Sequence, residues 1–203
     1  MRVPLGVIVA GGRGVRLGSG PKALVVLEGR TLLDRAIETL SRCCEEWVVA
    51  TAPDIELPVD GARLVHDAPG SGGPLAGVAA ALSAREPTDT LVLGVDFPLA
   101  RPQALAALAA RRGNSPAVLP APGGSPQPLA AVYGTAACAA LRCALAEGET
   151  SIRRAALALG PLILDDVALA ALEGGSENFF NVNTSEDLAE AARMLAARAG
   201  APR

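Results

Sequence analysis

Val7-Ile8-Val9-Ala10-Gly11-Gly12-Arg13-Gly14-Val15-Arg16-Leu17-Gly18-Ser19-Gly20-Pro21-Lys22 is the stretch that decides the fold. Its first four residues are apolar and read as a buried strand. Five glycines, two arginines and the only lysine of the chain crowd into the next twelve positions. Glycine lets the backbone approach a ligand and turn its N–H groups inward, and the cations add charge, so the expected ligand is a chain of phosphates. Two familiar phosphate motifs do not fit. A Walker A loop needs glycine before its lysine and Ser or Thr after it, but Pro21 and Ala23 flank Lys22. The dinucleotide fingerprint counted from Gly12 and Gly14 reaches Leu17 instead of a third glycine. A plain glycine-rich surface turn is the competing reading. Position after a strand, glycine density and charge together argue against it.

Working outward, apolar runs alternate with amphipathic stretches. Strands are expected at 5–10, 47–51, 63–65, 90–95, 117–119, 129–133 and 162–164, and helices at 32–43, 75–84, 103–111, 135–146, 151–159 and 185–198. This alternation predicts an α/β fold with a central, mostly parallel mixed sheet flanked by helices and joined by right-handed crossovers. Thr31 or a neighbour is expected to cap the first helix. Thr184 with Asp187 three residues on reads as a capping box opening the last one. Asn183-Thr184-Ser185 also fits a glycosylation sequon, but the cap is preferred. At 203 residues the chain is expected to be one domain over 1–199 with a disordered tail at 200–203. Three segments read as ligand-facing loops: 11–22, 67–77 and the Gly/Pro-rich 120–128, expected to be mobile.

The net charge of −3 has no basic block behind it, which argues against nucleic acid. No apolar run reaches the roughly 18 residues of a membrane span, and the N-terminal residues lack a signal-peptide layout, so the expectation is a cytoplasmic protein off the membrane. Half of the residues are hydrophobic, with alanine abundant and aromatics scarce, so the core must be built from small and branched aliphatic groups. Cys43, Cys44, Cys138 and Cys143 match no zinc or redox spacing and read as small buried apolar residues.

Asp96 ends the apolar run Leu91-Val92-Leu93-Gly94-Val95. In an open α/β sheet, ligands sit beyond the carboxyl ends of the strands, where an aspartate is placed to hold Mg²⁺ against phosphate oxygens. The plainer role for Asp96 is to cap the next turn. Asp67 ends another short strand and precedes the glycine loop that runs to Gly77, which opens a helix suited to anions or to a base approaching the backbone. His66, the only histidine, reads as a half-buried structural residue. Asn181 and Asn183 share one face of an extended segment and suit a phosphate, a metal-bound water or a polar heterocycle, or simply turn and cap chemistry. Arg153 and Arg154 read as a solvated pair. No Ser–His–Asp or Cys–His set is evident. The phosphate loop, the lysine and the strand-end aspartate together point to chemistry on a nucleoside triphosphate.

Val9-Ala10-Gly11-Gly12, Arg16-Leu17-Gly18 and Lys22 resemble the opening signature of nucleotidyltransferases with a three-layer Rossmann-like fold. Pro74-Leu75-Ala76-Gly77, Asp96-Phe97-Pro98, Gln127-Pro128-Leu129 with Tyr133, and Asn181-Val182-Asn183-Thr184 extend the likeness to the molybdenum cofactor guanylyltransferases, over roughly residues 5–195. That resemblance implies transfer of GMP from GTP to molybdopterin with release of pyrophosphate, with Mg²⁺ as cofactor and transient contact with proteins that deliver or receive the product. It implies that Ala10, Gly11, Gly12, Lys22, Asp67, Gly77 and Asp96 bind the nucleotide. Arg16, Lys22 and Asp96 would act in catalysis, Asp96 as the metal ligand, with Asn181 and Asn183 on the acceptor side. Two positions depart from the family pattern: Pro21 stands where an acidic residue often precedes the lysine, and Ala50 where an asparagine is common. Gly12 favours guanine, because cytidylyl relatives tend to carry Ala-Ala-Gly there. The alternatives are a relative acting on CTP or a sugar phosphate, and a catalytically silent nucleotide-binding module.

Overall fold

The computed structural model describes residues 2–11, 17, 20–59, 63–67, 72–84, 86 and 88–200. The elements in chain order are β1 (Val3–Val9), β2 (Val26–Leu27), β3 (Arg30–Thr31), α1 (Leu32–Cys43), β4 (Cys44–Thr51), β5 (Arg63–His66), α2 (Pro74–Ser83) and β6 (Thr90–Gly94). Then come α3 (Pro102–Ala110), β7 (Ala117–Pro120), β8 (Ala130–Tyr133), α4 (Thr135–Ala146), α5 (Ile152–Ala158), β9 (Leu162–Leu164), α6 (Asp166–Ala170) and α7 (Ser185–Gly200). Seven strands form one sheet in the order β5-β4-β1-β6-β8-β7-β9, in which only β8 runs against the rest.

The strand sequences explain the three layers. Successive side chains of a strand point to opposite faces, so a strand covered on both sides must be apolar throughout. Ile8, Val49, Leu91 and Leu93 pack with α1, α3, α6 and α7 on one face. Val7, Val48, Val92 and Ala131 pack with α2, α4 and α5 on the other. Helix α1 contributes Leu32, Leu33 and Leu40, each at most 1% exposed, and burying a leucine stabilises by about 1.5–3 kcal/mol. Its start is a capping box: Asp34 N donates to Thr31 Oγ1 (3.0 Å) and Thr31 N to Asp34 Oδ2 (3.3 Å).

Some features were not read from the sequence. The β2–β3 hairpin turns through Glu28 and Gly29, both at positive φ (50° and 73°), as a two-residue primed turn requires. Arg35 Nη2 donates to Leu27 O (2.6 Å) and ties the hairpin to α1. Helix α6 was also missed. The segment 120–128, expected to be a mobile ligand loop, is tied down instead. Ala121 N donates to Leu164 O (2.8 Å), Gln127 N to Pro120 O (2.8 Å), and Gly123 N to the Asp166 carboxylate. Helix α7 runs to Gly200, and residues 201–203 of the expected tail lie outside the described residues. Cys43, Cys44 and Cys138 are buried as expected, but Cys143 is exposed, because it lies on the outer side of α4.

The close seating of α1 on the sheet depends on Gly6. A methyl group there would come within 2.9 Å of Leu40 Cδ1 and 3.0 Å of Cys44 Sγ, all in the packed interior. Gly6→Ala is therefore expected to lower stability by about 1–3 kcal/mol, read as a reduced urea midpoint with an unchanged slope.

Candidate active site

The order β4-β1-β6 puts β1 between its two parallel neighbours. From β1 the chain returns through α1 on one face, and from β5 it returns to β6 through α2 on the other. The crevice where the crossovers diverge is the ligand position of open α/β sheets. A cavity of about 440 Å³ opens there, lined by Gly11, Lys22, Thr51, Asp67, Gly77 and Asp96, with Leu129 and Val95 among its apolar walls. Backbone bonds continue the sheet into this edge: Ala10 N donates to Ala50 O (2.8 Å) and Val95 N to Val9 O (3.1 Å). Ala10 is fully buried and its N–H is used in the sheet, so it supports the floor under Gly11.

One continuous chain of hydrogen bonds crosses the site. Lys22 Nζ donates to Asn183 Oδ1 (2.8 Å). Asn183 Nδ2 donates to Asn181 Oδ1 (2.7 Å), and Asn181 Nδ2 donates to Asp96 Oδ2 (2.9 Å). Cation and carboxylate at its ends orient both amides the same way. The main chain is joined as well, since Val182 N donates to Asp96 O (2.8 Å). Burial pushes the Lys22 pKa below that of an ordinary lysine, while Asp96 and Asp187 act to keep the ammonium charged. Burial likewise pushes Asp96 above the usual carboxylate range, opposed by Lys22 and the Asn181 amide. A cation and an anion thus share a poorly solvated space in which charged ligand groups are strongly felt.

The Asp96 carboxylate sits where it does because position 94 is glycine. A Cβ at Gly94 would run into Asp96 Oδ1, so the carboxylate folds back over space that any other residue would fill. The turn is closed by Phe97 N donating to Gly94 O (3.2 Å), and Gly94 N donates to Leu129 O (2.6 Å). Tyr133 fixes the approach to Leu129: its buried hydroxyl donates to Pro128 O (2.8 Å).

On the opposite wall, Thr51 and Asp67 are neighbours, Asp67 N donating to Thr51 O (3.2 Å). Thr51 Oγ1 and Asp67 Oδ1 are buried and have no hydrogen-bond partner among the described residues. Burial raises the Asp67 pKa. Unpaired buried polar atoms cost free energy, and beside a cavity they are satisfied by a ligand or water. Gly73 enters α2 at φ 93°, and a Cβ on Gly77 would sit 3.5 Å from that of Ala50, so this wall of the cavity is backbone and small side chains.

Of the residues singled out from the sequence, Gly11, Lys22, Asp67, Gly77 and Asp96 line the cavity, and Asn181 and Asn183 join Lys22 to Asp96. Gly12 and Arg16 lie outside the described residues. His66 is exposed, contrary to the half-buried reading, because β5 is the edge strand and nothing described covers that position; its Nδ1 is 3.3 Å from Ala52 O. Arg153 and Arg154 are on the surface as expected, Arg154 paired with Glu149 (2.7 Å). The segment 120–128 contributes nothing to the cavity lining. Thr51 and Gly94 were not anticipated. A glycine two positions before a strand-end aspartate was a usable signal for the latter; nothing in the sequence distinguished Thr51.

A family model described as the MobA-like NTP transferase domain matches residues 6–162. The chain belongs to this family. A probable molybdenum cofactor guanylyltransferase of Chloroflexus aggregans is 34% identical over 90% of this chain and 90% of its own length. A molybdenum cofactor guanylyltransferase of Acidiphilium cryptum is 38% identical over 92% of this chain and 94% of its own. These relatives bear out the resemblance read from the motifs. The crystal structure of molybdopterin-guanine dinucleotide biosynthesis protein A from Archaeoglobus fulgidus has the same fold, with a TM-score of 0.78 at 24% identity over 95% of this chain and 99% of that one. The chain is thus a nucleotidyltransferase with the Rossmann-like architecture expected.

Displacing the Asp96 carboxylate tests whether the site depends on it. Gly94→Ala is expected to lower nucleotidyltransfer roughly a hundredfold, the scale set by misplacing a reacting group by about 1 Å. The far-UV circular dichroism spectrum should stay that of the wild type.

Proposed function

We propose that this chain transfers GMP from GTP to the terminal phosphate of molybdopterin, releasing pyrophosphate and forming the guanine dinucleotide cofactor. The observation that carries the reading is the Lys22–Asn183–Asn181–Asp96 chain, whose two ends line the cavity beside Gly11. The names of the relatives supply the substrates. The work falls to one domain over 1–199, acting in the cytoplasm. Among the described residues no helix is long and apolar enough to cross a membrane. Contact with proteins that deliver or receive the cofactor is transient in this reading.

Ala10, Gly11 and Gly12 bind the triphosphate in this reading, while Asp67 and Gly77 face the nucleoside. The acceptor phosphate is a monoester with a second pKa of about 6, so it is already ionised near neutrality and needs no strong general base. Catalysis then rests on bringing two anions together and stabilising the charge that builds on pyrophosphate. Lys22, held by Asn183, presents its ammonium to that charge, joined by Arg16. Asn181 and Asn183 face the incoming phosphate.

The donor set also fits Mg²⁺. Among the described residues no cluster of three or more His, Cys, Asp or Glu side chains could cage a metal. Magnesium is commonly held by one or two carboxylates together with substrate phosphates and water. Asp96 supplies that carboxylate, its Oδ2 already oriented by Asn181. Bound there, the ion would neutralise phosphate charge.

Incubation with GTP, Mg²⁺ and molybdopterin, followed by mass analysis, should yield the guanine dinucleotide. Product from CTP instead, or tight GTP binding with no product from any acceptor, would sink the reading. Lys22→Ala is expected to lose about a hundredfold or more in kcat without loss of fold, and Asp96→Asn to lose the response of turnover to added Mg²⁺.

A further inference from the structure

The start of α7 makes one hydrogen bond more than a helix cap needs. In a capping box the side chain at the third helical position accepts from the cap residue's own N–H, and the cap side chain accepts in return. Thr184 and Asp187 do this: Thr184 N donates to Asp187 Oδ2 (2.9 Å), and Asp187 N donates to Thr184 Oγ1 (3.2 Å). Asp187 Oδ2 also accepts from Asn183 N, again at 2.9 Å. The Thr31–Asp34 box of α1 has the same residue types and makes only the two reciprocal bonds. The additional contact falls on the residue whose side chain holds Lys22.

We propose that Asp187 is a positioning residue for the transfer step: by anchoring the main chain of Asn183, its carboxylate sets where the Asn183 amide meets Lys22 and Asn181. The proposal rests on the reading that Lys22 and Asp96 flank the reacting phosphates. The Asn183 side chain is exposed, so besides its bonds to Lys22 and Asn181 the main chain that carries it sets its position. A shift there is passed on in both directions, to Lys22 at 2.8 Å and to Asn181 at 2.7 Å, and thence to Asp96. The Asp187 carboxylate is also a charge that acts on Lys22 from α7, as Asp96 does from the end of β6.

Three variants separate positioning from capping. Asp187→Ala removes the anchor, Asp187→Glu replaces it with a longer carboxylate, and Thr184→Ala breaks the other half of the box without touching Asn183. The first readout needs no turnover: hydrogen exchange of the Asn181 and Asn183 side-chain amides by NMR in the free protein. Exchange is expected to rise about tenfold or more in Asp187→Ala, to stay near wild type in Thr184→Ala, and to be largely restored in Asp187→Glu. The second is kinetic: Asp187→Ala should lower kcat about tenfold with KM for GTP within about twofold, while Thr184→Ala keeps kcat and loses only thermal stability. Equal amide exchange or equal kcat loss in Asp187→Ala and Thr184→Ala would overturn the proposal, as would an Asp187→Ala protein indistinguishable from wild type. A wild-type protein that forms no dinucleotide would sink the proposed reaction instead, and the amide exchange would still decide whether Asp187 holds Asn183.

Discussion

The site depends on one constraint: a lysine and an aspartate must stay charged and a fixed distance apart in a place where burial favours neutrality for both. Two asparagine amides solve this by spanning the gap. Each donates toward the carboxylate and accepts from the side of the ammonium, so the dipoles add along the chain instead of opposing. The two end bonds are charge-assisted and so stronger than neutral ones, and the one to Asp96 is partly buried. Direct contact between Lys22 and Asp96 would use up both charges; the amide spacer leaves each free to meet a phosphate or a cation.

The rest of the architecture can be understood as support for that arrangement. Lys22 comes after β1 in the chain, Asp96 follows β6, and the asparagines lie just before α7, so three remote parts of the sequence must meet. The parallel pairing of β1 with β6 sets the ends of those two strands side by side. The third is brought in by the turn at 175–179, where buried Asn178 accepts from Arg101 N (3.0 Å) and donates to Glu173 O (2.9 Å) and Gly175 O (2.8 Å). Arg198 then pins the far end of α7 to the segment after β6 that carries Asp96, donating to Leu99 O (3.0 Å) and pairing with Glu177 (3.1 Å). The helix is held at both ends, and the asparagines precede its fixed start.

The opposite wall has a different character. Ala50, Gly73 and Gly77 keep it flat and close to backbone, while Thr51 and Asp67 leave buried oxygens unpaired among the described residues. A surface that combines close backbone approach with a few unsatisfied polar atoms suits a flat ligand group with hydrogen-bonding edges. In the proposed reaction the two walls would divide the labour of a nucleotide site: recognition on one side, management of phosphate charge on the other.

Most elements were legible locally. Period-2 and continuous apolar runs located all seven strands of the sheet, and 3.6-residue spacing located α1 to α5 and α7, because burial on both faces of a parallel sheet imposes those patterns directly on the chain. The exceptions have local causes: the β2–β3 turn uses Glu28-Gly29 instead of an asparagine or aspartate before glycine, and α6 is only five residues long. The sequence by itself determined the α/β class and the caps of α1 and α7, since each follows from neighbours within a few positions. Only the tertiary structure decided that Lys22 reaches Asp96 through Asn183 and Asn181, that Gly94 makes room for a carboxylate, and that His66 faces outward at an edge. Those facts depend on strand order and on contacts between residues as many as 161 positions apart, which no local pattern encodes.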